Sequence, residues 1–225
     1  MRNWLYLLIS VAGLAQAAPP GHVEVAYEMT KDGSVLADVV EVLEHGGGRY
    51  EITETSKGRG IYGLLGGMKR VSRGLLDRSW VRPLEHIDER PGWRGSRASF
   101  DWQARTITTN HKQVQKTLPM PPGAQDRLSF LLSFSMFPPK ENSVTYNIAD
   151  SKGLSEQVYQ VAGREKLKIP AGEFQTVKLV RSRNNEFAEI WLAEELGNFP
   201  VRAVVVYKDG KRLEQTAVRV STSNP

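Results

Sequence analysis

The sequence predicts a mainly β protein: a curved antiparallel meander forming an open or unclosed β-barrel, with one apolar helix at about 124–137 packed in its concave side or mouth. Three observations predict this fold. Short segments in which apolar and polar residues alternate recur along the chain. Turn residues join these segments by short links, which favours antiparallel neighbours. One segment, framed by two pairs of prolines, is apolar on nearly every side.

The N-terminal segment, residues 1–17, is predicted to be a cleaved signal peptide. Arg2 precedes the apolar run Trp4 to Leu14, and Ala15-Gln16-Ala17 offers the small residues that signal peptidase recognises. The run is shorter than the roughly 20 residues that a membrane-spanning helix needs. We therefore expect a single β-rich domain, 18–225, that is exported and soluble in a bacterial periplasm after cleavage near Ala17. An uncleaved N-terminal anchor is the alternative.

The first three strands are predicted by alternation and by the turns between them. His22 to Met29 alternates cleanly, Val35 to Leu43 follows after the turn Lys31-Asp32-Gly33-Ser34, and Arg49 to Ser56 follows three glycines. Later strands are predicted at Lys69–Gly74, Arg82–Arg90, Arg94–Trp102, Arg105–Lys112, Val114–Leu118, Ser143–Ala149, Glu156–Val161, Phe174–Arg183, Glu186–Leu192, Val201–Tyr207 and Arg212–Ser221. Asp209-Gly210 joins the last two as a hairpin turn. So many strands must curl or close to remove exposed edges.

Two segments interrupt the strand pattern. Gly58 to Gly67 holds five glycines around Leu64 and Leu65, and it is either a mobile flap or an irregular crossover. Ala124 to Phe137 lies between prolines and is predicted to be a helix, with Asp126 near its N-terminus. Its apolar residues point in nearly all directions, so the helix must be enclosed on several sides. It is either a fixed plug in the concave side or a lid that an apolar ligand displaces.

The composition excludes several classes of site. Without cysteine, the chain has no disulfide, thiolate metal site, cysteine nucleophile or cysteine-linked lipid anchor. Its four histidines are scattered, and no hydrolase, protease or P-loop motif occurs. Gly58 to Gly63 matches G-x-G-x-x-G, but the glycines that follow interrupt the helix that a dinucleotide site requires. We therefore expect no enzyme, cofactor or metal; a cleft with two facing carboxylates or a His–carboxylate pair would reopen the enzymatic interpretation.

Positive charge is concentrated in one stretch. Between Lys57 and Arg105 the chain carries eleven basic and five acidic residues. An exported protein of this kind is expected to meet anionic envelope components rather than nucleic acid. Arg70, Arg73 and Arg78 are the predicted face for such a partner, although a solvated sheet face is the simpler interpretation.

The C-terminal part carries a family resemblance. Ile169 to Leu179 (IPAGEFQTVKL) and Glu189 to Arg202 (EIWLAEELGNFPVR) resemble the exported bacterial domain-of-unknown-function family 3108, as do Phe100-Asp101-Trp102 and the glycine-rich stretch. The strand–turn–Pro–strand pattern is also similar to that of the periplasmic lipoprotein-localisation (LolA-like) carriers. That similarity implies an unclosed antiparallel barrel with helices inside its mouth. Neither resemblance implies a catalytic residue.

These observations favour a non-enzymatic periplasmic binding or carrier protein for a lipid or other apolar envelope component. The predicted lining or lid of its apolar cavity comprises Leu64, Leu65, Trp102, Leu128, Phe130, Leu131, Phe134 and Phe137. The alternative function is a structural or interaction module of the cell envelope, with a basic face for anionic partners. The oligomeric state is left open.

Overall fold

Eight strands that follow one another along the chain form the N-terminal part of the sheet. The computed structural model describes residues 20–223 except 78, 91–92, 139–140 and 151–152, and only the backbone at 65, 93 and 94. A 3₁₀ helix, Gly60–Leu65, lies between the third and fourth strands. The strands are β1 His22–Lys31, β2 Ser34–Gly46, β3 Arg49–Gly58, β4 Gly67–Leu76, β5 Val81–Arg90, β6 Trp93–Asp101, β7 Thr106–His111 and β8 Val114–Pro119.

The C-terminal part contains the α-helix and seven more strands. The helix, α1, spans Ser129–Met136, and a second 3₁₀ helix spans Glu194–Leu196. The strands are β9 Ala124–Asp126, β10 Ser143–Asp150, β11 Gly153–Ile169, β12 Gly172–Arg183, β13 Glu186–Ala193, β14 Phe199–Val206 and β15 Arg212–Ser223.

All these strands belong to one sheet, in the order β8-β7-β6-β5-β4-β3-β2-β1-β15-β14-β13-β12-β11-β10-β9. Since β1 pairs with both β2 and β15, the first and last strands of the chain join the two parts of the meander. The sheet is not closed, because β8 and β9 are its two edges. The predicted open, curved antiparallel sheet is thus confirmed. One pairing departs from it, as β9 runs parallel to β10.

Tight turns fix the register of the hairpins. Asp32 and Gly33 both have positive φ (50° and 82°), as a two-residue hairpin of the primed type requires. Gly197 ends the second 3₁₀ helix in the left-handed conformation, and Pro200 follows in β14 opposite Leu192. The predicted Asp209-Gly210 hairpin turn is confirmed, with a hydrogen bond from the Gly210 N–H to the Tyr207 carbonyl oxygen.

Helix α1 lies between the two parts of the sheet, and it contacts β5 in one and β14 in the other. Its buried residues are distributed around the helix axis: Ser129, Leu132, Ser133, Phe134 and Ser135. This enclosure on several sides is the one that an all-round apolar segment predicts. Of the architecture implied by the similarity to the lipoprotein-localisation carriers, the unclosed antiparallel sheet is observed, and one α-helix of the described chain lies within it rather than several.

The helix is shorter than the predicted 124–137. Residues 124–126 form β9 instead, because they pair with Asn147, Ile148 and Ala149 of β10. The Asp126 carboxylate then accepts hydrogen bonds from the Leu128 and Ser129 N–H groups, at 2.8 and 2.9 Å. An acceptor of this kind satisfies donors that a helix start leaves unpaired, so the helix begins after it.

The glycine-rich segment forms the 3₁₀ helix Gly60–Leu65 rather than a phosphate-binding turn that opens an α-helix. A side chain at Gly58 would collide with the Tyr62 carbonyl oxygen, so the chain can fold back closely only at a glycine. The segment follows β3 and precedes its antiparallel neighbour β4. The G-x-G-x-x-G match is therefore not part of a βαβ unit.

Candidate functional site

A cavity of about 350 Å³ lies between α1 and the sheet. One wall is mainly apolar and comes from α1 and its neighbours, with Leu128, Phe130, Leu131, Ile148 and Ile190. Gln157 of β11 and Arg181 of β12 add polar groups to the lining. The opposite wall includes Tyr27, Glu41, Glu54 and Arg70 of strands β1 to β4. Arg127 and Tyr207 also line the cavity and are exposed, so it opens to solvent on that side.

Helix α1 is anchored at its N-terminal end by a chain of buried hydrogen bonds. Ser72 of β4 donates to the Asp126 carboxylate at 2.6 Å, and Tyr50 lies 3.0 Å from the same Ser72 hydroxyl. Since that hydroxyl has a single hydrogen, Tyr50 is the donor in the second bond. Burial raises the pKa of Tyr50 well above its ordinary value, as does the charge of Asp126, so Tyr50 keeps the proton it donates.

A second anchor holds the other end of the helix. Ser135 donates to the Asn198 carbonyl oxygen at 2.9 Å, and both residues are buried. Displacing α1 would expose buried apolar side chains and break hydrogen bonds at both ends, at a cost of about 1 kcal/mol for each bond. These contacts favour a fixed wall over a displaceable lid.

Four aromatic rings pack together at the apolar wall, and two of them, Phe130 and Tyr159, line the cavity. Phe130 stacks on Tyr159, with ring centres 5.8 Å apart, and Phe134 meets Tyr146 and Tyr159 edge-on at 5.1 and 5.6 Å. Phe134 is fully buried in this cluster, whereas Phe130 also lines the cavity. Burial raises the pKa of Tyr159, although Arg181 beside it opposes the rise.

The polar wall is a row of directly opposed residues on neighbouring strands. Glu41 of β2 faces Glu54 of β3, Glu54 faces Arg70 of β4, and Arg70 faces Asp88 of β5. The Arg70 guanidinium bridges the two flanking carboxylates, at 2.7 Å from Glu54 Oε1 and 3.4 Å from Asp88 Oδ2. Glu41 is the carboxyl group of the row without such a cation.

The charge states of this row follow from its surroundings. Burial raises the pKa of Glu41 to about 8, and the negative charge of Glu54 adds to the rise. Burial also acts to raise the pKa of Asp88, but hydrogen bonds and charge from Arg90 and Arg70 outweigh it and lower the pKa. At neutral pH Glu41 is therefore mostly protonated, while Asp88 is ionised.

Glu41 also lacks a hydrogen-bond partner within the part of the chain that the structure describes. The residue is 3% exposed, and its buried Oε1 atom is unpaired. Tyr27, on the neighbouring strand, already donates to the Pro200 carbonyl oxygen at 2.8 Å. A buried, unsatisfied polar atom in a native structure is uncommon, which makes this end of the cavity a candidate for ligand contact.

The predicted apolar site residues are only partly brought together. Leu128, Phe130 and Leu131 line the cavity. Phe134 lies in the aromatic cluster and Phe137 packs against the main core. Trp102 follows β6, where its indole N–H donates to the Pro83 carbonyl oxygen at 2.8 Å.

The two leucines of the glycine-rich segment lie elsewhere. Leu64 is 89% exposed in the first 3₁₀ helix and does not line the cavity. The side chain of Leu65 lies outside the described part of the structure.

The three predicted arginines do not form one face. Arg70 points into the concave side, whereas Arg73 is half exposed and pairs with Glu51 and Glu85. The two are three positions apart on β4 and so lie on opposite faces of the sheet. Arg78 lies outside the described residues.

The excess of positive charge between positions 57 and 105 is partly offset by acidic residues from other strands. Of the nine basic residues in this stretch whose side chains the structure describes, six form ion pairs, several of them with acidic residues of β1 to β3. They are Arg59, Arg70, Arg73, Arg82, Arg90 and Arg97.

Sequence reasoning missed Tyr27, Glu41 and Glu54. A signal for the two carboxylates was present, since Glu41 shares the inward alternation of Val39 and Leu43, and Glu54 that of Tyr50 and Ile52. A charged residue at an inward strand position is a sign of a paired or functional group.

A buried serine, histidine and carboxylate also lie close together, but they do not form a catalytic triad. Ser72 and His86 are opposed on β4 and β5, and Ser72 donates to Asp126 rather than to His86. All three are at most 3% exposed, and none lines the cavity. Ser72 and Asp126 belong to the helix anchor, whereas His86 Nε2 has no hydrogen-bond partner in the described chain.

Three wider depressions, of about 940, 630 and 550 Å³, are also present. The largest involves residues of β3 to β7, and most of its polar lining, including Lys69, Glu89 and Arg97, is exposed. The second surrounds Glu51 and Arg73. Its lining includes a His–carboxylate pair, His22 and Glu44, whose Nδ1 and Oε1 atoms are 3.7 Å apart and whose carboxylate is 70% exposed. In the described residues no group of three or more metal-ligating side chains is close enough to hold an ion, and no helix is both long and apolar enough to span a membrane.

Comparisons with solved structures give distant similarities. A Bacteroides fragilis protein described as exported and as having a YmcC-like fold is 10% identical, with a TM-score of 0.41, and covers 92% of this chain and 100% of its own. A Parabacteroides distasonis protein described as a lipoprotein is 9% identical, with a TM-score of 0.40 and coverages of 92% and 96%. The Mycobacterium tuberculosis lipoprotein LppX is 11% identical, with a TM-score of 0.30 and coverages of 88% and 85%.

The sequence itself gives the family. Among curated proteins, none matches the chain. The family model described as "Protein of unknown function (DUF3108)" matches residues 23–216, which include every strand from β2 to β14 and all of the cavity lining. The chain therefore belongs to the DUF3108 family, as its C-terminal motifs predict.

Proposed function

We propose that this protein is a non-enzymatic binding or carrier protein of the bacterial periplasm, and that its cavity holds the hydrocarbon part of a lipid or another apolar envelope component. The observation that carries the proposal is the cavity wall formed by Leu128, Phe130 and Leu131 on a helix anchored at both ends. Its volume of about 350 Å³ lies at the lower end of the range for small-molecule sites.

The placement of the carboxylates supports binding over catalysis. A glycosidase requires two carboxyl groups on either side of the bond that is cleaved. Glu41 and Glu54 instead sit side by side on adjacent strands, and both belong to the same wall of the cavity. These two cannot flank a bond. The lining also contains Glu186 and Glu189, of which Glu189 is paired with Lys178.

The alternative, an envelope module with a basic interaction face, has less support. Arg70 and Arg73 lie on opposite faces of the sheet, and each is already paired with two carboxylates. An anionic partner would have to displace those carboxylates before it gained the charge of either arginine.

The test is uptake of an uncharged fluorescent long-chain ester probe by the full chain, purified without detergent. Leu131→Trp should fill the cavity and weaken uptake by at least roughly tenfold, since each 1.4 kcal/mol changes affinity tenfold. Leu154→Trp is the matched control, because Leu154 is 37% exposed on β11 and does not line the cavity. It should take up the probe as the parent does.

Thermal unfolding of both variants shows whether they remain folded, and Ala203→Leu offers a milder filling of the same cavity. Absence of uptake by the parent would contradict the proposal. So would equal uptake by all the folded variants, because the probe would then bind outside the cavity.

A further inference from the structure

We propose that Glu41, in its uncharged form, recognises the polar end of the ligand, and that this ligand therefore carries an uncharged hydrogen-bond acceptor, the carbonyl of an ester or amide, beside its hydrocarbon chain. This inference rests on the proposed function. It adds the chemical class of the ligand and the residue that selects it.

Glu41 is a buried carboxyl group whose Oε1 atom has no hydrogen-bond partner in the described chain. It is 3% exposed and lines the cavity, whereas the apolar wall lies on the other side of the same space. A chain packed on Phe130 and Leu131 would present its polar end to the wall that contains Glu41. Satisfying a buried polar group is worth about 1–3 kcal/mol.

The charged and titratable neighbours do not supply that partner. Tyr27 donates to Pro200, and Arg70 is held between Glu54 and Asp88. Across the cavity, Arg202 pairs with Glu214, Glu189 with Lys178, and Arg127 with Asp150. Arg181 also lines the cavity with a buried, unpaired Nε, but its charge acts on Tyr159, whereas the pKa of Glu41 is set by burial and by Glu54. Within the described chain, none of these groups satisfies Glu41 Oε1.

The charge balance favours an uncharged ligand group. Arg70 and Arg90 offset Glu54 and Asp88, so the row is balanced when Glu41 keeps its proton. A ligand carboxylate would be repelled by Glu54. A ligand ammonium would have to lose its hydration, which costs several kcal/mol per buried ion, and would displace the proton of Glu41. An ester or amide carbonyl is uncharged, so it is not repelled by Glu54 and loses no ionic hydration. Its oxygen can accept a hydrogen bond from the Glu41 O–H.

The experiment is calorimetric titration of the full chain with three probes of equal chain length: a long-chain N-methyl amide, an alkylamine and a fatty acid. At about pH 6.5 the amide should bind at least roughly tenfold more tightly than the other two. The pKa of Glu41 is about 8. Between about pH 6.5 and about pH 9.5 the affinity for the amide should therefore fall roughly thirty-fold, in step with the protonated fraction.

Two variants of Glu41 separate recognition from folding. Glu41→Gln keeps a donor and should bind the amide with little dependence on pH, whereas Glu41→Leu should lose at least roughly tenfold in affinity. Glu44→Gln, on the exposed face of the same strand, should behave as the parent does.

The results distinguish the two proposals. Tightest binding of the amine, with release of a proton measured in buffers of different ionisation enthalpy, would replace this inference by a cation site. Equal binding of all three probes, independent of pH and of Glu41→Leu, would overturn the inference and leave the proposed function standing. Failure of every probe to bind would overturn the proposed function itself.

Discussion

Two rows of charged residues cross strands β2 to β5, one on each face of the sheet, with the same order of charges. The concave row is Glu41, Glu54, Arg70 and Asp88; the outer row is Glu44, Glu51, Arg73 and Glu85. Each residue lies three positions along its strand from its counterpart in the other row. Side chains along a strand alternate between the two faces of the sheet. Two residues that are three positions apart therefore lie on opposite faces.

The rows differ in their access to water. The Glu54, Arg70 and Asp88 side chains are 10%, 18% and 13% exposed, whereas those of Glu51 and Arg73 are 44% and 50% exposed. Water screens the outer pairs, so each is worth little. In the concave row, desolvation must be offset by pairing or by protonation. The same charge pattern is therefore a solvated surface on one face and a polar cavity wall on the other.

The largest expected effect is the loss of Arg70. Arg70→Ala would leave Glu54 and Asp88 buried without their shared cation, and breaking such a buried pair costs about 3–5 kcal/mol. Arg73→Ala, in the outer row, should cost less than about 1 kcal/mol. The measurement is the free energy of unfolding of both variants, from urea denaturation at neutral pH.

Equal losses for the two arginine variants would show that water reaches the concave row as freely as the outer one. The claim that the two rows differ in access to water would then be wrong, and so would the description of the concave row as a buried polar wall of the cavity.

An intermediate effect is expected from Glu41→Gln, and it should depend on pH. Burial, together with the charge of Glu54, raises the pKa of Glu41 from 4.5 to about 8. Between these values the folded state binds more protons than the unfolded state, so the stability of the parent falls as the pH rises. Glu41→Gln removes that fall and should exceed the parent by a few kcal/mol at about pH 8, with no such difference below about pH 4.5.

Glu44→Gln is the counterpart in the outer row and should stay within about 0.5 kcal/mol of the parent. Urea unfolding of the three proteins at several pH values gives the comparison. A parallel pH dependence for Glu41→Gln and the parent would mean that Glu41 is ionised throughout, contrary to its burial.

The fold could be predicted from the sequence because its main signals are local. Alternation in β1 to β3 and the Asp32-Gly33 turn specify hairpins without reference to distant residues. The all-round apolar segment specifies an enclosed helix. The short strand β9 could not be predicted, because its partner β10 is about twenty residues away and the pairing is parallel. The predicted signal peptide and the extent of the domain, 18–225, stay predictions.

The site was harder to predict, since it depends on which strands meet across the curved sheet. The apolar side of the cavity could be anticipated from Phe130 and Leu131, but Leu64 and Trp102 resemble them in sequence and lie elsewhere. Because positive charge is concentrated in the sequence around Arg70, this residue was predicted to lie on an outer, basic face. The partners that neutralise it come from β3 and β5 and become visible only once the register is known.

The smallest expected effect concerns the contribution of the Glu54 charge to the raised pKa of Glu41. Glu54→Gln removes the negative charge that, after burial, raises the pKa of Glu41. It also frees Arg70 from one of its two carboxylates, and the cation then favours ionised Glu41. Both changes act in the same direction, so the titration midpoint of Glu41, followed by carboxyl ¹³C NMR, should fall by about one pH unit.

Glu51→Gln removes the corresponding charge from the outer row and should leave the Glu41 midpoint unchanged. Because Glu51 is on the opposite face of β3 and pairs with Arg73, its charge is screened from Glu41 by water and by its partner. If the midpoint did not fall in Glu54→Gln, burial alone would set the charge of Glu41. The concave row would then be four separate groups rather than a coupled wall, and the choice of an uncharged ligand group would depend on Glu41 alone.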